Sequence, residues 1–227
     1  GINKIIFTSS VAIYGFAEPN TDEEGEINYF NDYGRTKFLA EKEYLDWYNE
    51  DTVNRTLIII RPTVIFGEGN RGNVFNLLNQ IKSRRFVMFG SGKNIKSMAY
   101  VQNVVAFLEH SMHFKPGLHI YNYIDKPDIN MNKLVSITRN ILFKKGGVGL
   151  RFPAFLGITI GYLADLLSRI LSTNLPISSI RVKKFLSTTQ FSSAVKNTNF
   201  NAPNTLEEGL KRTLKYEFLE KNDNNQV

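Results

Sequence analysis

The chain has no cysteine, so neither a disulfide nor a thiolate metal site is open to it, and its composition suits a reducing compartment. Histidine is scarce, with only His110, His113 and His119. The first two fall near an expected helix end, the third opens a strand, and no carboxylate stands at metal-ligand spacing. They read as surface or core residues, and no metal is expected. Long unbroken apolar runs are missing as well. The most apolar segment, "PAFLGITIGYLADLLSRIL" at 153–171, is interrupted by Asp165 and Arg169 and carries two glycines. It reads as a buried helix of a small lobe in preference to an interfacial anchor or a membrane span. The opening "GINKIIFTSS" has no methionine and no basic head, apolar run and cleavage site of a signal peptide. A cytoplasmic protein without membrane association is expected. Aromatic and basic residues do not alternate as a base-stacking platform requires. The pairs Arg84-Arg85, Lys144-Lys145 and Lys183-Lys184 fall at expected helix ends, where the macrodipole accounts for them. The formal charge of +7 then points to a phosphorylated small molecule in preference to nucleic acid.

What is present suffices for a sizeable core. A chain of 227 residues, 42% hydrophobic, can form one large domain or a domain with a small lobe. Residues 4–9 and 57–61 read as short buried strands, the second stopped by Pro62. Residues 15–30 are acidic and turn-rich, a surface loop. A helix over 33–49 is capped by Asn31 or Asp32, with Phe38, Leu39, Leu45 and Trp47 at helical spacing. A helix at 73–84, strands at 86–90 and 97–101, a helix from Asn103 and a strand at 118–124 follow. Beyond 130 the pattern is mostly helical: 130–144, 153–171, about 176–186 and 205–219, ending in a frayed "EKNDNNQV". Strands alternating with helices predict an α/β protein with a mainly parallel sheet.

In "DYGRTK", Tyr33 and Lys37 are four apart and share one helix face. Alone, Tyr-x-x-x-Lys is weak evidence, and an ordinary amphipathic surface pair explains it equally well. Its context is stronger, because the strand "KIIFTSS" ends in hydroxyls 23 residues before Tyr33. Groups beyond the carboxyl ends of parallel strands meet at the ligand crevice. A phenol is a useful acid–base group only if it ionises nearer neutrality than its usual ~10, a change of about 4 kcal/mol between its two protonation states. An ammonium nearby favours the phenolate, as does a cationic nicotinamide ring. A serine hydroxyl can orient the same substrate oxygen. Ser10, Tyr33 and Lys37 thus make a set suited to proton transfer at a carbinol whose carbon loses hydride.

"FTSSVAIYG", "DYGRTKFLAE" and "IIIRPTVIFGEG", in that order and spacing, resemble the extended short-chain dehydrogenase/reductases that act on nucleotide sugars. The resemblance continues through "GSGKNIKSMAYVQNVVAF" and "NAPNTLEEGLKRTLKYEF". It implies the C-terminal part of a Rossmann-like doubly wound parallel sheet plus a smaller, mainly helical substrate-binding lobe. The nucleotide-binding part is expected at 1–129, with substrate-binding segments interleaved at about 67–101, and the helical lobe at 130–227. By position, Ser10 is the catalytic hydroxyl and Tyr33 the acid–base. Lys37 holds the nicotinamide ribose and favours the tyrosinate, Pro62 lies beside the nicotinamide, and Asn73 contacts the substrate diphosphate. The implied cofactor is NAD or NADP, and the implied partner a nucleotide-sugar substrate. Helices such as 33–49 often form a homodimer in that family. Three positions depart from its pattern. Lys96 replaces an arginine on the substrate side and gives charge without a bidentate fork, Asn103 replaces an aspartate, and Val64 replaces the asparagine of Arg-Pro-x-Asn.

The family's glycine-rich cofactor loop follows its first strand, well before the serine-containing strand with which this chain opens. The first half of the nucleotide-binding domain is therefore expected to be missing, leaving an apolar strand edge near 4–9 and poor dinucleotide binding by these residues alone. Gly67-x-Gly69-x-x-Gly72 has a fingerprint's spacing. Its next strand, however, ends in "GSGK" without the acidic residue a ribose requires. It reads as a turn bringing backbone and Asn73 to a substrate diphosphate. The expected activity is nucleotide-sugar epimerisation of the UDP-sugar 4-epimerase kind, in surface-polysaccharide synthesis. The alternatives are an NADPH-dependent 4-keto-sugar-nucleotide reductase and a non-catalytic regulator of the same fold. A dehydratase fits less well, since Val11 and Ala12 stand where an acidic pair would.

Overall fold

A computed structural model describes residues 1–171, 173 and 178–220. Of the fraying expected over 220–227, only Glu220 is described, and it ends the helical turn Tyr216–Glu220. The rest lies outside the described residues, as does the start of the helix expected from 176. Strand β1 spans Lys4–Thr8, helix α1 Asp32–Asn49, β2 Thr56–Pro62, β3 Val64–Phe66 and α2 Asn73–Lys82. Then come β4 (Met88–Phe89), β5 (Ile95–Lys96), β6 (Met98–Tyr100), α3 (Val101–Ser111) and β7 (Gly117–Tyr123). The remainder is β8 (Ile129–Asn130), α4 (Met131–Phe143), β9 (Arg151–Phe152), α5 (Ala154–Ile170), α6 (Ser179–Leu186) and α7 (Leu206–Lys215). The α/β alternation expected from the sequence is present.

These elements form two compact units, neither of them continuous in sequence. The first holds Gly1–Gly72, Ser97–Asp128 and Thr189–Thr213; the second holds Asn73–Lys96, Ile129–Thr188 and the residues from Leu214 on.

The first unit is built on a parallel sheet in the order β1-β2-β7, with Lys4 opposite Thr56 and Thr56 opposite Gly117. β2 is buried along its whole length, as a central parallel strand covered on both faces must be. Ile58 and Ile60 face Ala99, Val104, Phe107 and Tyr123. Phe107 of α3 is the hub of this cluster, with the rings of Tyr121, Tyr123 and Phe200 centred 5.1–5.6 Å away. α1 packs on β1 through Tyr44, whose ring centroid is 4.7 Å from that of Phe7. Its expected apolar stripe is only partly inward, since Leu39 is exposed. Between the two capping candidates, Asn31 does the work, its Oδ1 accepting from Gly34 N–H at 2.9 Å.

At the carboxyl end of β2 the core turns polar. Arg61 donates to both oxygens of Glu41 on α1, at 3.0 and 2.7 Å, and both side chains are buried. Arg61 also donates to the Tyr14 hydroxyl at 2.7 Å and the Glu23 carbonyl at 3.0 Å, and Tyr14 donates onward to Asn122 Oδ1 at 2.9 Å. The loop 15–30, expected at the surface, is partly drawn into this network. Glu23 Oε1 accepts from the backbone N–H of Asn122 and of Ala194, at 2.8 and 2.9 Å.

The second unit holds helices α2, α4, α5 and α6 with two short strand pairs, β4 with β9 and β5 with β8. The strand expected at 86–90 shortens to the two residues of β4. The segment 153–171 corrects the expectation of a buried helix. In α5 the buried residues are Gly157 and Gly161, while Phe155, Ile160, Leu163, Leu166 and Leu167 are exposed. Two glycines four apart let the backbone lie close on its neighbours: a Cβ at Gly161 would stand 2.7 Å from Ser179 Cα, and one at Gly157 2.8 Å from the Phe89 ring. That close approach turns the large side chains away.

Replacing Glu41 by glutamine leaves a buried guanidinium without its anion, which should cost about 3 kcal/mol of folding stability. Urea unfolding would measure it, and a wild-type midpoint would show that the pair does not anchor α1.

Candidate active site

The site grows from the carboxyl end of β1. Beyond Thr8, Ser9 N–H still donates to Ile60 carbonyl at 2.7 Å, and then the chain leaves the sheet. Ser10 keeps an extended backbone and its Oγ accepts from Ala12 N–H at 3.1 Å, capping the short 3-10 turn Val11–Tyr14. The serine hydroxyl is thereby fixed as an acceptor for the turn, with its own proton left to donate. Gly15 closes the turn at φ +66, hard against the Asn28 carbonyl, so only glycine fits there.

α1 then brings Tyr33 and Lys37 to this end of the sheet. Lys37 Nζ donates to the Thr8 carbonyl at 2.8 Å and lies 5.2 Å from the Phe7 ring centroid. The ammonium is thus held two residues from Ser10. One turn earlier on the same helix, Tyr33 is 54% exposed and open to a ligand. Gly34 explains how α1 comes so near: a Cβ there would stand 2.5 Å from Ala12 carbonyl and 2.9 Å from Tyr29 Cβ. The structure therefore brings Ser10, Tyr33 and Lys37 to one end of the sheet. Tyr14, in the same turn, is excluded from proton transfer. Burial pushes its phenol up to about 12, against the opposing pull of Arg61, and its oxygen is already bonded on both sides.

Pro62 is the last residue of β2, buried and in register with Tyr123. Asn73 opens α2 in the second unit and is exposed. Lys96, also in the second unit, donates to the carbonyls of Lys184 and Ser187 at 2.9 and 2.7 Å. It caps the end of α6, as a cation is favoured to do, and burial lowers its ammonium pKa to about 8. Asn103 shows why an amide suits its position. Fully buried, it both donates to the Asn204 carbonyl at 2.8 Å and accepts from Asn204 N–H at 3.1 Å, which a carboxylate cannot do.

The Gly67–Gly72 stretch follows β3, which pairs with β6 outside the main sheet. Asn70 fills the loop, its Oδ1 accepting from Gly72 N–H at 2.7 Å. That amide is already used, unlike the open amides of a pyrophosphate cradle.

A family model described as "NAD dependent epimerase/dehydratase family" matches residues 1–122, more than half of the chain. The chain belongs to that family. Among curated relatives of this epimerase/dehydratase chain, the N-acetyl-alpha-D-glucosaminyl-diphospho-ditrans,octacis-undecaprenol 4-epimerase of Escherichia coli O157:H7 is 50% identical over 96% of the chain and 66% of its own length. The UDP-glucose 4-epimerase of Vibrio cholerae is 25% identical over 98% of the chain and 65% of its own. The chain thus spans just under two thirds of the length of either relative. Among solved structures, UDP-glucuronic acid 4-epimerase from Bacillus cereus in complex with NAD aligns over 95% of the chain and 61% of its own at 15% identity and a TM-score of 0.65. That likeness establishes the fold as Rossmann-like α/β.

The sequence names Ser10, Tyr33 and Lys37 as candidates but not the groups that seat them, Gly34 and the Thr8 carbonyl. The glycine directly after Tyr33 was the one available signal, since glycine inside a helix usually marks a close approach. Gly34→Ala should lower stability by about 1–3 kcal/mol, read by thermal unfolding, and an unchanged melt would mean the turn yields freely. Lys96 gives a pH signature. The folded chain releases this proton near 8, against the ordinary lysine value of 10.5. The unfolded state therefore binds more protons between those values, so this contribution to stability rises with pH there. Below about 8 both states are protonated and the cost of the buried cation is fully present. The difference in urea midpoint between wild type and Lys96→Met should shift in favour of wild type from pH 8 to 10.5, and a constant difference would refute the burial of that charge.

Proposed function

We propose that this chain carries the proton-transfer centre of an NAD-dependent epimerase that inverts C4 of a sugar held on a diphosphate. The observation that carries the reading is Lys37 fixed on the Thr8 carbonyl at 2.8 Å, one helical turn from an exposed Tyr33 and beside the capped Ser10. Tyr33 takes the proton of the C4 hydroxyl, and Ser10 donates to the same oxygen and holds its direction. The charge of Lys37 stabilises the anion that Tyr33 becomes on releasing its proton. Tyr33 then returns the proton to the C4 oxygen once the sugar presents its other face.

The residues suit a nicotinamide nucleotide, NAD or NADP. Lys37 offers an ammonium for a ribose hydroxyl, and Pro62 a flat apolar wall without an N–H. Ser9 Oγ is buried with no hydrogen-bond partner among the described residues, an orphaned group that a polar edge of the cofactor would satisfy. When bound, the nicotinamide supplies a reversible hydride acceptor for C4. On the substrate side, Asn73 offers an exposed amide at the N-terminus of α2, favourable for a diphosphate. Lys96 adds the cation it holds against the end of α6.

The diphosphate carrier in this reading is a polyprenol in preference to a nucleotide, because the relative named for an undecaprenol-linked substrate is 50% identical and the one named for a UDP-sugar 25%. A cytoplasmic location and a homodimer through the exposed face of α1 complete the proposal.

The test is Tyr33→Phe in the protein expressed from its native gene. Conversion of polyprenyl-diphosphate N-acetylglucosamine should fall by about 10²- to 10⁴-fold with the thermal unfolding curve unchanged; wild-type turnover would refute the assignment. Stoichiometric consumption of NADPH by wild type would move the activity to the keto-sugar reductase.

A further inference from the structure

α5 is amphipathic in reverse. Its inward face is mostly small or polar: Ala154, Gly157, Gly161 and Ala164, with Asp165 and Ser168 beyond them and Ile158 its one large apolar side chain. Asp165 accepts from Ser179 N–H at 3.2 Å and so serves the start of α6. The outward face carries Phe155, Leu156, Ile160, Leu163, Leu167 and Ile170, between 37% and 68% exposed. Water is a poor medium for a continuous apolar face of this size. Yet among the described residues no helix is long and apolar enough to cross a membrane. A helix of this kind lies in an interface, with its apolar side down.

The surrounding charge identifies the interface. From 144 to 184 the chain has seven basic residues, namely Lys144, Lys145, Arg151, Arg169, Arg181, Lys183 and Lys184, against one acidic residue, Asp165, and that one is turned inward. Arg169 is exposed on α5 itself. Lys183 Nζ bonds the Tyr162 hydroxyl at 2.9 Å and lies 5.2 Å from its ring centroid, so a cation rims the apolar face beside an exposed tyrosine. Apolar anchors flanked by Arg169, Lys183 and a phenol match an anionic bilayer surface, where acyl chains take the leucines and headgroup phosphates meet the cations. A cavity of about 550 Å³ elsewhere is flanked by polar histidines. The one bordering this face is larger, about 650 Å³, and is lined by Phe86, Phe89, Ile160 and Phe185 with Arg85 and Arg181.

We propose that α5 and the basic flank of α6 dock this protein on the surface of an anionic membrane, with the helix lying in the plane of the headgroups. The choice of a lipid surface rests in part on the reading of a lipid-linked diphosphate sugar, whose carrier resides in a membrane. It replaces the expectation of no membrane association.

Sedimentation of the whole protein with vesicles tests it, using phosphatidylcholine alone or with an equal share of phosphatidylglycerol. Wild type should pellet with the anionic vesicles, and less as salt rises. Leu163→Gln/Leu167→Gln should weaken partitioning on the order of tenfold, with an unchanged thermal melt because both positions are exposed. Arg169→Gln/Lys183→Gln should weaken binding to the anionic vesicles most. Wild type remaining in the supernatant, or a leucine pair that pellets like wild type, would overturn the proposal. So would a concentration-dependent dimer that the leucine pair abolishes, since the face would then belong to a second copy of the chain. Binding is read without any sugar, so its failure leaves the C4 chemistry standing. Loss of the Tyr33 assignment would in turn leave vesicle binding unaltered.

Discussion

A guanidinium placed in a protein interior must find an anion and fill its remaining donors, or the desolvation cost is not recovered. Arg61 meets that demand at the end of the central strand, and the way it does so organises the first unit. Its two bonds to Glu41 set the height of α1 over the sheet, and its bond to Tyr14 sets the turn after β1. The helix carrying Tyr33 and Lys37 and the turn carrying Ser10 are therefore held by one cation. Neither Arg61 nor Glu41 is placed in the proposed chemistry. They make its geometry reproducible, because a hydrogen-bonded fork permits little sliding. The neighbouring network through Glu23 and Asn122 joins the other end of the same constraint to β7.

Tyr14 and Tyr33 illustrate how burial sorts identical side chains. Tyr14 is sealed, with its hydroxyl donating to Asn122 and accepting from Arg61. Tyr33 stands open on the first turn of α1. The same phenol is a structural strut in one place and a candidate acid–base in the other.

Much of this was legible in the sequence where local pattern and global packing agree. "LIIIRP" reads as a buried parallel strand because its β-branched run leaves no polar face, and β2 is one. Ser10, Tyr33 and Lys37 could be singled out only together, because the four-residue helical step of Tyr33 and Lys37 says little without the hydroxyl-ended strand that carries Ser10. Other features depend on partners distant in the chain. The two-residue strands β4, β5, β8 and β9 exist only through their pairings, which no local propensity encodes. Glu23 looked like one acid among several in a loop, and its inward turn is set by N–H groups at Asn122 and Ala194. For α5 composition indicated burial, yet the two glycines reversed its orientation. Mean apolarity does not say which side of a helix faces inward, whereas the four-residue interval between Gly157 and Gly161 does.

The tie between Glu23 and Ala194 spans 171 residues, and this bears on how the protein is made. A ribosome adding residues at ~5–20 per second needs on the order of ten seconds or more to cover that distance. Until then the polar network beneath Arg61 lacks one of its walls, although β1, α1 and β2 have long left the exit tunnel. Because the first unit is assembled from three separate stretches, no early part of the nascent chain is a finished object. The unit waits, with an apolar strand and an unsatisfied acid exposed, for a segment translated late. The order of the segments along the chain thus decides when the surroundings of Glu23 are completed.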